Sequence, residues 1–186
     1  MIRFLLLLVT LLNATQLQAQ VLKSESESLD LLCLNTWMIP FLRRKSITRS
    51  KLIGRHSSQY DFVMLQEVFN RRQRRIITRE INRDDKFYNR YQTTPLFRVN
   101  SGLFNLSKYQ ISKSTFKRFT WCGGAQCWSN KGVLHTRVRL NSGKEIDIYN
   151  THLQPFSSGK FVRQKQIEEI FDFINDTNDG LRSVIL

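Results

Sequence analysis

The sequence predicts a layered α/β domain with a mixed sheet. Three observations lead there: strand-like apolar runs alternate loosely with helical patterns, two of those runs are continuous rather than alternating, and a hairpin signal sits between them and the last helix. With 41% apolar residues and 13 Phe in 186 residues, the chain has the material for a core, which excludes disorder over most of its length. Eight Gly without a period and three Cys exclude collagen-like and disulfide-framework classes, and no internal repeat marks a solenoid. One domain is expected.

The first segment stands apart from it. Met1–Ile2–Arg3 carries one positive charge, residues 4–12 are nearly all Leu and Val, and a polar stretch ends at Leu17–Gln18–Ala19. That is the order of a secretory signal peptide, expected over residues 1–19, although Leu17 is not the ideal residue three before the cut. The apolar run is shorter than the about 20 residues a membrane-spanning helix needs. A buried core helix is the alternative. Export would place the protein in an extracellular or periplasmic space, where a disulfide can persist. Residues 20–28 then read as a polar linker, and residues 29–186 as the domain.

Residues 29–34 form a continuous apolar run, the mark of a strand covered on both faces, with Cys33 as a small buried hydrophobe. Residues 43–55 are basic and partly helical. Residues 60–65 are a second apolar strand. Over 71–83 a helix is expected, with Ile76, Ile77 and Ile81 on one side and arginines elsewhere. Residues 87–93, 101–106 and 111–119 are shorter strands. Strands at 133–140 and 145–152 flank Asn141–Ser142–Gly143–Lys144, a hairpin signal. Over 161–174 the spacing of Ile167, Ile170, Phe171 and Ile174 predicts a helix with that face inward, and residues 182–186 begin another strand. Cys122 and Cys127 enclose a Gly-rich turn that a local disulfide could close. Zinc is the alternative, but no second Cys or His pair stands at metal spacing.

Three of the strands run into polar residues: Asn35 after the first, Gln66 and Glu67 after the second, and Asn150, Thr151 and His152 after the hairpin. Sites in α/β sheets are commonly assembled at strand ends. A carboxylate, an imidazole and carboxamides suit a hard cation and a phosphate, because Mg²⁺ uses one or two carboxylates and keeps waters for the rest. Each residue also has an ordinary structural role open to it: Glu67 at a helix start, Asn35 capping a turn, His152 as a half-buried satisfied histidine.

The surrounding residues carry more. Asn35–Thr36–Trp37–Met38–Ile39–Pro40, Leu65–Gln66–Glu67–Val68–Phe69, Ser101–Gly102–Leu103–Phe104–Asn105, Cys122–Gly123, Asn130–Lys131–Gly132, Thr151–His152–Leu153–Gln154 and Arg163–Gln164–Lys165–Gln166 resemble the endonuclease/exonuclease/phosphatase superfamily. Within it they are most similar to the neutral, Mg²⁺-dependent sphingomyelinase branch, over about residues 29 to 186. The resemblance implies a DNase I-like four-layer α/β sandwich with its site at one end of two packed sheets. It implies Glu67 and Asn35 at a Mg²⁺ ion or another divalent cation, with Asn35 also orienting the phosphate. His152 is implied to bond the phosphate and stabilise transition-state charge. Asn130 and Lys131 are further phosphate candidates, Lys131 being equally an exposed turn lysine. The reaction implied is phosphodiester hydrolysis by an activated water.

The family's next motif, Gly-Asp-x-Asn, and a later Asp-His pair holding the general base do not occur up to Leu186. His56, in a basic loop, and His135, in mid-strand, are poor substitutes. A fold incomplete at its C-terminus, inactive alone and poorly soluble through unpaired edges, is therefore the expectation.

Charge adds a partner class without naming it. Between positions 43 and 83 stand twelve Lys and Arg against three acids, a local excess of +9. Such a surface attracts a phospholipid membrane or nucleic acid, or is simply a solvated face. Trp121 and Trp128 beside the Cys loop suit a membrane interface, or packing in the core. Hydrolysis of sphingomyelin or another choline phospholipid by a secreted enzyme is the first functional expectation. A secreted nuclease of the same superfamily and a non-catalytic membrane- or nucleic-acid-binding fragment are the alternatives. Asn105–Leu106–Ser107 and Asn175–Asp176–Thr177 match the glycosylation acceptor pattern.

Overall fold

The computed structural model describes residues 28–39, 46–83, 86–91 and 99–186. The leader expected over 1–19 and most of the linker lie outside the described residues. The element order is β1 (Leu31–Asn35), α1 (Ser46–Ser57), β2 (Phe62–Gln66), α2 (Arg71–Ile81), β3 (Tyr88–Tyr91), β4 (Phe104–Ser107), β5 (Gln110–Arg118), β6 (Gly132–Arg139), β7 (Glu145–Thr151), α3 (Lys160–Thr177) and β8 (Ser183–Ile185). Short 3₁₀ turns occupy Gly124–Trp128 and Ser157–Gly159.

The strands divide into two four-stranded mixed sheets, in the order β1-β2-β4-β3 and β5-β6-β7-β8. β1 runs parallel to β2 with Asn35 opposite Gln66, and β7 runs parallel to β8. The other pairs are antiparallel. Period-two alternation along each strand sorts the side chains into layers. Phe62 and Met64 of β2 meet Val138, Ile146 and Ile148 between the sheets. Val63 and Leu65 face the other way, onto Ile77 and Ile81 of α2, Phe104 and Met38. On the far side, Val133 and Tyr149 pack with Ile170 and Phe173 of α3. The layers are helix, sheet, sheet, helix: the expected sandwich.

The hairpin forms as its turn predicts. Leu140 N–H donates to the Lys144 carbonyl at 2.8 Å, and Gly143 sits at φ 82°, a conformation that glycine adopts without a Cβ penalty. The Cys loop is closed by a Cys122–Cys127 disulfide with its Cα atoms 5.2 Å apart.

Four expectations are corrected. β1 has core on both faces as expected, with Leu32 and Leu34 on the helix side and Leu31 between the sheets, but among the described residues it is the edge strand of its sheet, its leucines are only half-buried, and Cys33 is exposed instead of buried. In α3 the inward face is Gln166, Ile170 and Phe173, while Ile167 and Phe171 are exposed. The reason is polar: the Gln166 amide accepts from Gln154 N–H at 2.8 Å and donates to the Trp121 carbonyl at 2.9 Å, satisfying two backbone groups that apolar side chains would orphan. In α2, Arg74 joins the buried face with Ile77 and Ile81, and Ile76 is left half-exposed. Asn105 is fully buried between the sheets, so the first glycosylation match has no accessible amide in the folded protein.

Candidate functional site

β1 and β2 are parallel and end together, which puts Asn35 beside the residue that follows Gln66. Glu67 leaves the strand with φ 62°, a left-handed conformation that costs an L-residue roughly 1–2 kcal/mol. The turn is held from several sides. Val68 N–H donates to the Gly102 carbonyl at 2.8 Å, and Gly102 (φ 74°) lies so close that a Cβ there would stand 3.0 Å from Glu67 Cα and 2.8 Å from the Phe69 ring. Arg74 Nη1 donates to the Val68 and Phe69 carbonyls at 2.8 and 3.0 Å. The Asn100 amide adds a bond to the Phe69 carbonyl at 2.6 Å.

This scaffold fixes the Glu67 carboxylate. Asn35 Nδ2 donates to Glu67 Oε1 at 3.1 Å, and Trp37 N–H donates to Asn35 Oδ1 at 2.9 Å. Those two bonds define the amide orientation, since the flipped form would set oxygen against carboxylate and N–H against NH₂. His152 Nε2 stands 3.8 Å from the same Oε1. Glu67 is 8% exposed, and its Oε2 is buried without a hydrogen-bond partner. The three strand-end residues thus share one place.

β7 reaches it through a buried amide chain between the sheets. Gln66 Nε2 donates to Asn150 Oδ1 at 2.7 Å, and the Asn150 amide nitrogen donates to the Leu65 carbonyl at 3.1 Å and to Asn105 Oδ1 at 2.7 Å. Asn105 Nδ2 donates in turn to Thr136 Oγ1 at 2.9 Å. The inter-sheet layer is therefore apolar at Phe62 and Ile146 and polar at the end where Glu67 and His152 stand. Sequence reasoning assigns no part in the site to Asn105 or Gly102. A polar residue inside the otherwise apolar strand 104–107 is the signal that could reveal the first. A glycine just before that strand has too many ordinary uses to be read alone.

Lys131 is not an exposed turn lysine. It is 7% exposed, and its ammonium donates to the His152 and Leu153 carbonyls at 3.3 and 3.0 Å. Burial pulls its pKa down to about 8, against the opposing pull of the Glu67 carboxylate. Burial likewise lowers the His152 pKa, helped by the Lys131 charge and opposed by Glu67. Asn130 is buried with its Nδ2 unpartnered. His56 lies on α1, and His135 is buried against Asp147 in the α3 layer; neither belongs to this cluster.

Among the described residues no three His, Cys, Asp or Glu converge on one point. The donor set nevertheless fits a hard cation of few protein ligands: Glu67 Oε2 is an oriented carboxylate oxygen with nothing to accept from. Asn35 has its oxygen turned to Trp37 N–H, so it orients the carboxylate in this arrangement.

No family model matches the chain. A sphingomyelinase from Dictyostelium discoideum is 30% identical over 161 residues, covering 76% of this chain and 34% of that protein. Sphingomyelinase C from Bacillus cereus is 27% identical, covering 90% of this chain and 58% of its own length. A solved beta toxin of Staphylococcus aureus with bound magnesium ions superimposes with a TM-score of 0.74 at 22% identity, over 85% of this chain and 63% of that one. An endonuclease/exonuclease/phosphatase family protein from Leptotrichia buccalis does so with a TM-score of 0.62 at 15% identity, over 82% and 63%. The chain thus spans about a third of the first of these curated relatives and over half of the second. The sphingomyelinase branch that the motifs resemble is that of its curated relatives, and the DNase I-like fold is shared with its structural neighbours.

Proposed function

We propose that this relative of the sphingomyelinases works in a secreted, Mg²⁺-dependent phosphodiesterase that cleaves sphingomyelin or a related choline phospholipid at a membrane surface. The carrying observation is the Glu67 carboxylate, gripped at one oxygen by Asn35 and left open at the other, with the His152 imidazole 3.8 Å away. Glu67 would hold the ion. When bound, a divalent cation supplies Lewis-acid charge for phosphoryl oxygens.

The protein's own groups have separable roles. Asn35 fixes the carboxylate rotamer. Lys131, by holding the carbonyls of residues 152 and 153, fixes the backbone from which His152 projects. The His152 N–H and the unpartnered Asn130 amide are donors for the anionic oxygens of a phosphodiester, and preorganised donors of this kind are each worth roughly 10²–10³ in rate. Trp121 and Trp128 are exposed, as is Phe156 in the loop after His152, which supports contact with lipid at the interface. The beta toxin with bound magnesium ions supports the choice of metal.

The test is phosphocholine release from sphingomyelin vesicles by the protein isolated from its source, with Mg²⁺ and after chelation. Release that needs the metal and is lost in Glu67→Gln is expected. Nicking of duplex DNA without lipid cleavage would replace the lipid reading with a nuclease. Neither activity would leave a binding module.

A further inference from the structure

The arginines of α2 form a second feature, with no role in the chemistry above. Arg71, Arg75 and Arg79 repeat at four-residue intervals and are all exposed, so they form one ridge. Like charges at that spacing repel, at a few tenths of a kcal/mol per pair. The helix holds a single acid, Glu80, which is buried and already shared by Arg55, Arg79 and Arg83 at 3.0–3.3 Å. The ridge separates two concavities. One, of about 350 Å³, is lined by Arg71, Arg74, Arg75 and Arg79 together with Tyr91 of β3. The other, of about 470 Å³, adds Lys51 of α1 and Arg72. The lining of both, among the described residues, contains no carboxylate.

Arg74 forms the floor of the first. It is 8% exposed, its guanidinium stacks 4.4 Å from the Tyr91 ring centroid, and its Nη1 is bound to two carbonyls, but its Nε has no partner and no carboxylate is paired with it among the described residues. Burying a guanidinium without a counter-anion is costly unless an anion arrives from outside. Guanidinium forks match phosphate oxygens two at a time. A floor cation below a ridge of three exposed forks has more positive charge than one monoanion requires.

We propose that the α2–β3 groove is an anion site for a ligand bearing clustered phosphate charge, separate from the Glu67 cluster. Its occupant is a soluble polyphosphate or the phosphomonoester head group of an acidic lipid, which share this chemistry.

The 186-residue chain is titrated with inorganic pyrophosphate, and separately with phosphatidylcholine vesicles containing or lacking phosphatidic acid. Binding of pyrophosphate, or of the acidic vesicles alone, supports the site and identifies its source. The double variant Arg71→Gln/Arg75→Gln should weaken that binding about a hundredfold, roughly tenfold for each charge-assisted hydrogen bond removed. Lys113→Gln/Lys144→Gln, which removes the same charge from exposed positions on the other sheet, should change it less than about twofold. The arginine variant should melt no lower than the parent, because removing the two charges relieves repulsion, and pyrophosphate should raise the melting temperature of the parent only. Equal weakening in both double variants would reduce the groove to bulk charge and overturn the site. So would the absence of binding by either probe, or tighter binding of duplex DNA that the arginine variant weakens in parallel.

Discussion

His135 and Asp147 meet at 2.7 Å with neither side chain exposed, whereas His152 and Glu67 stand 3.8 Å apart and are both partly open to solvent. The residue types are alike, and both histidines belong to or follow the same hairpin. The difference lies in filled valences. Asp147 accepts from His135, from Arg137 at 2.7 and 2.9 Å, from Asn178 at 2.9 Å and from Arg182 at 3.2 Å. His135 is further occupied by Thr115 at 3.0 Å and stacks on Tyr149. Glu67 has one donor, Asn35, and an empty oxygen. A saturated pair ties β6, β7 and the approach to β8 together; an unsaturated one is left for a ligand. The number of unmet hydrogen-bond valences, not the presence of a His–carboxylate pair, separates scaffold from site.

The sharpest way to break the contrast is to swap the perturbations. Glu67→Gln should lower metal-dependent turnover on the order of 10³-fold while leaving the melting temperature near the parent's; a variant that keeps its activity would remove Glu67 from the chemistry. Asp147→Ala should do the reverse. It strands Arg137, whose side chain is 12% exposed, and takes from Arg182 one of its two carboxylate partners, and should destabilise the domain by about 3–5 kcal/mol in urea unfolding. Stability within about 1 kcal/mol of the parent would show the cluster to be dispensable.

Acid titration refines the same point. Burial pushes the Asp147 pKa up, but the bonds from Arg137, His135 and Arg182 outweigh it and bring the value to about 2, from 3.8 in the unfolded chain. A depressed folded pKa means stability that is fully present above pH 3.8 and lost as pH falls toward 2, here about 2 kcal/mol. The Asp147→Asn variant should lack this part of the acid transition. If its unfolding free energy falls with pH as steeply as the parent's, the linkage is wrong. An effect of similar size is expected of Asn150→Ala, about 1–3 kcal/mol for a broken buried amide chain, with reduced metal affinity because β7 is no longer tied to the end of β2. Loss of stability with metal affinity intact would make the chain purely structural.

Much of the layer order is legible because burial imposes periods on the sequence: β2 reads as apolar up to Gln66 since both its faces are covered, and the Asn-Ser-Gly-Lys turn fixes the β6–β7 register. The three strand-end residues are legible because polar types directly after apolar strands are few. What escapes are positions where a polar group wins a buried place by satisfying backbone. Gln166 displaces Ile167 from the inner face of α3, and Arg74 is drawn under Tyr91 by the carbonyls of residues 68 and 69. Cys33 misleads for another reason: a strand's residues do not say whether it has a neighbour on both sides, and among the described residues β1 has one. Lys131 combines both problems, since a lysine before a glycine looks like a turn until its carbonyl partners come from residues 152 and 153.

The central claim is that Glu67 presents an open carboxylate oxygen for a divalent cation beside Asn35 and His152. Binding of Mn²⁺ as a spectroscopic stand-in for Mg²⁺, followed by electron paramagnetic resonance on the 186-residue chain, tests it without requiring turnover. One site is predicted, abolished by Glu67→Gln, weakened by Asn35→Ala and unchanged in Asp147→Asn. Equal Mn²⁺ binding by the parent and Glu67→Gln would contradict it.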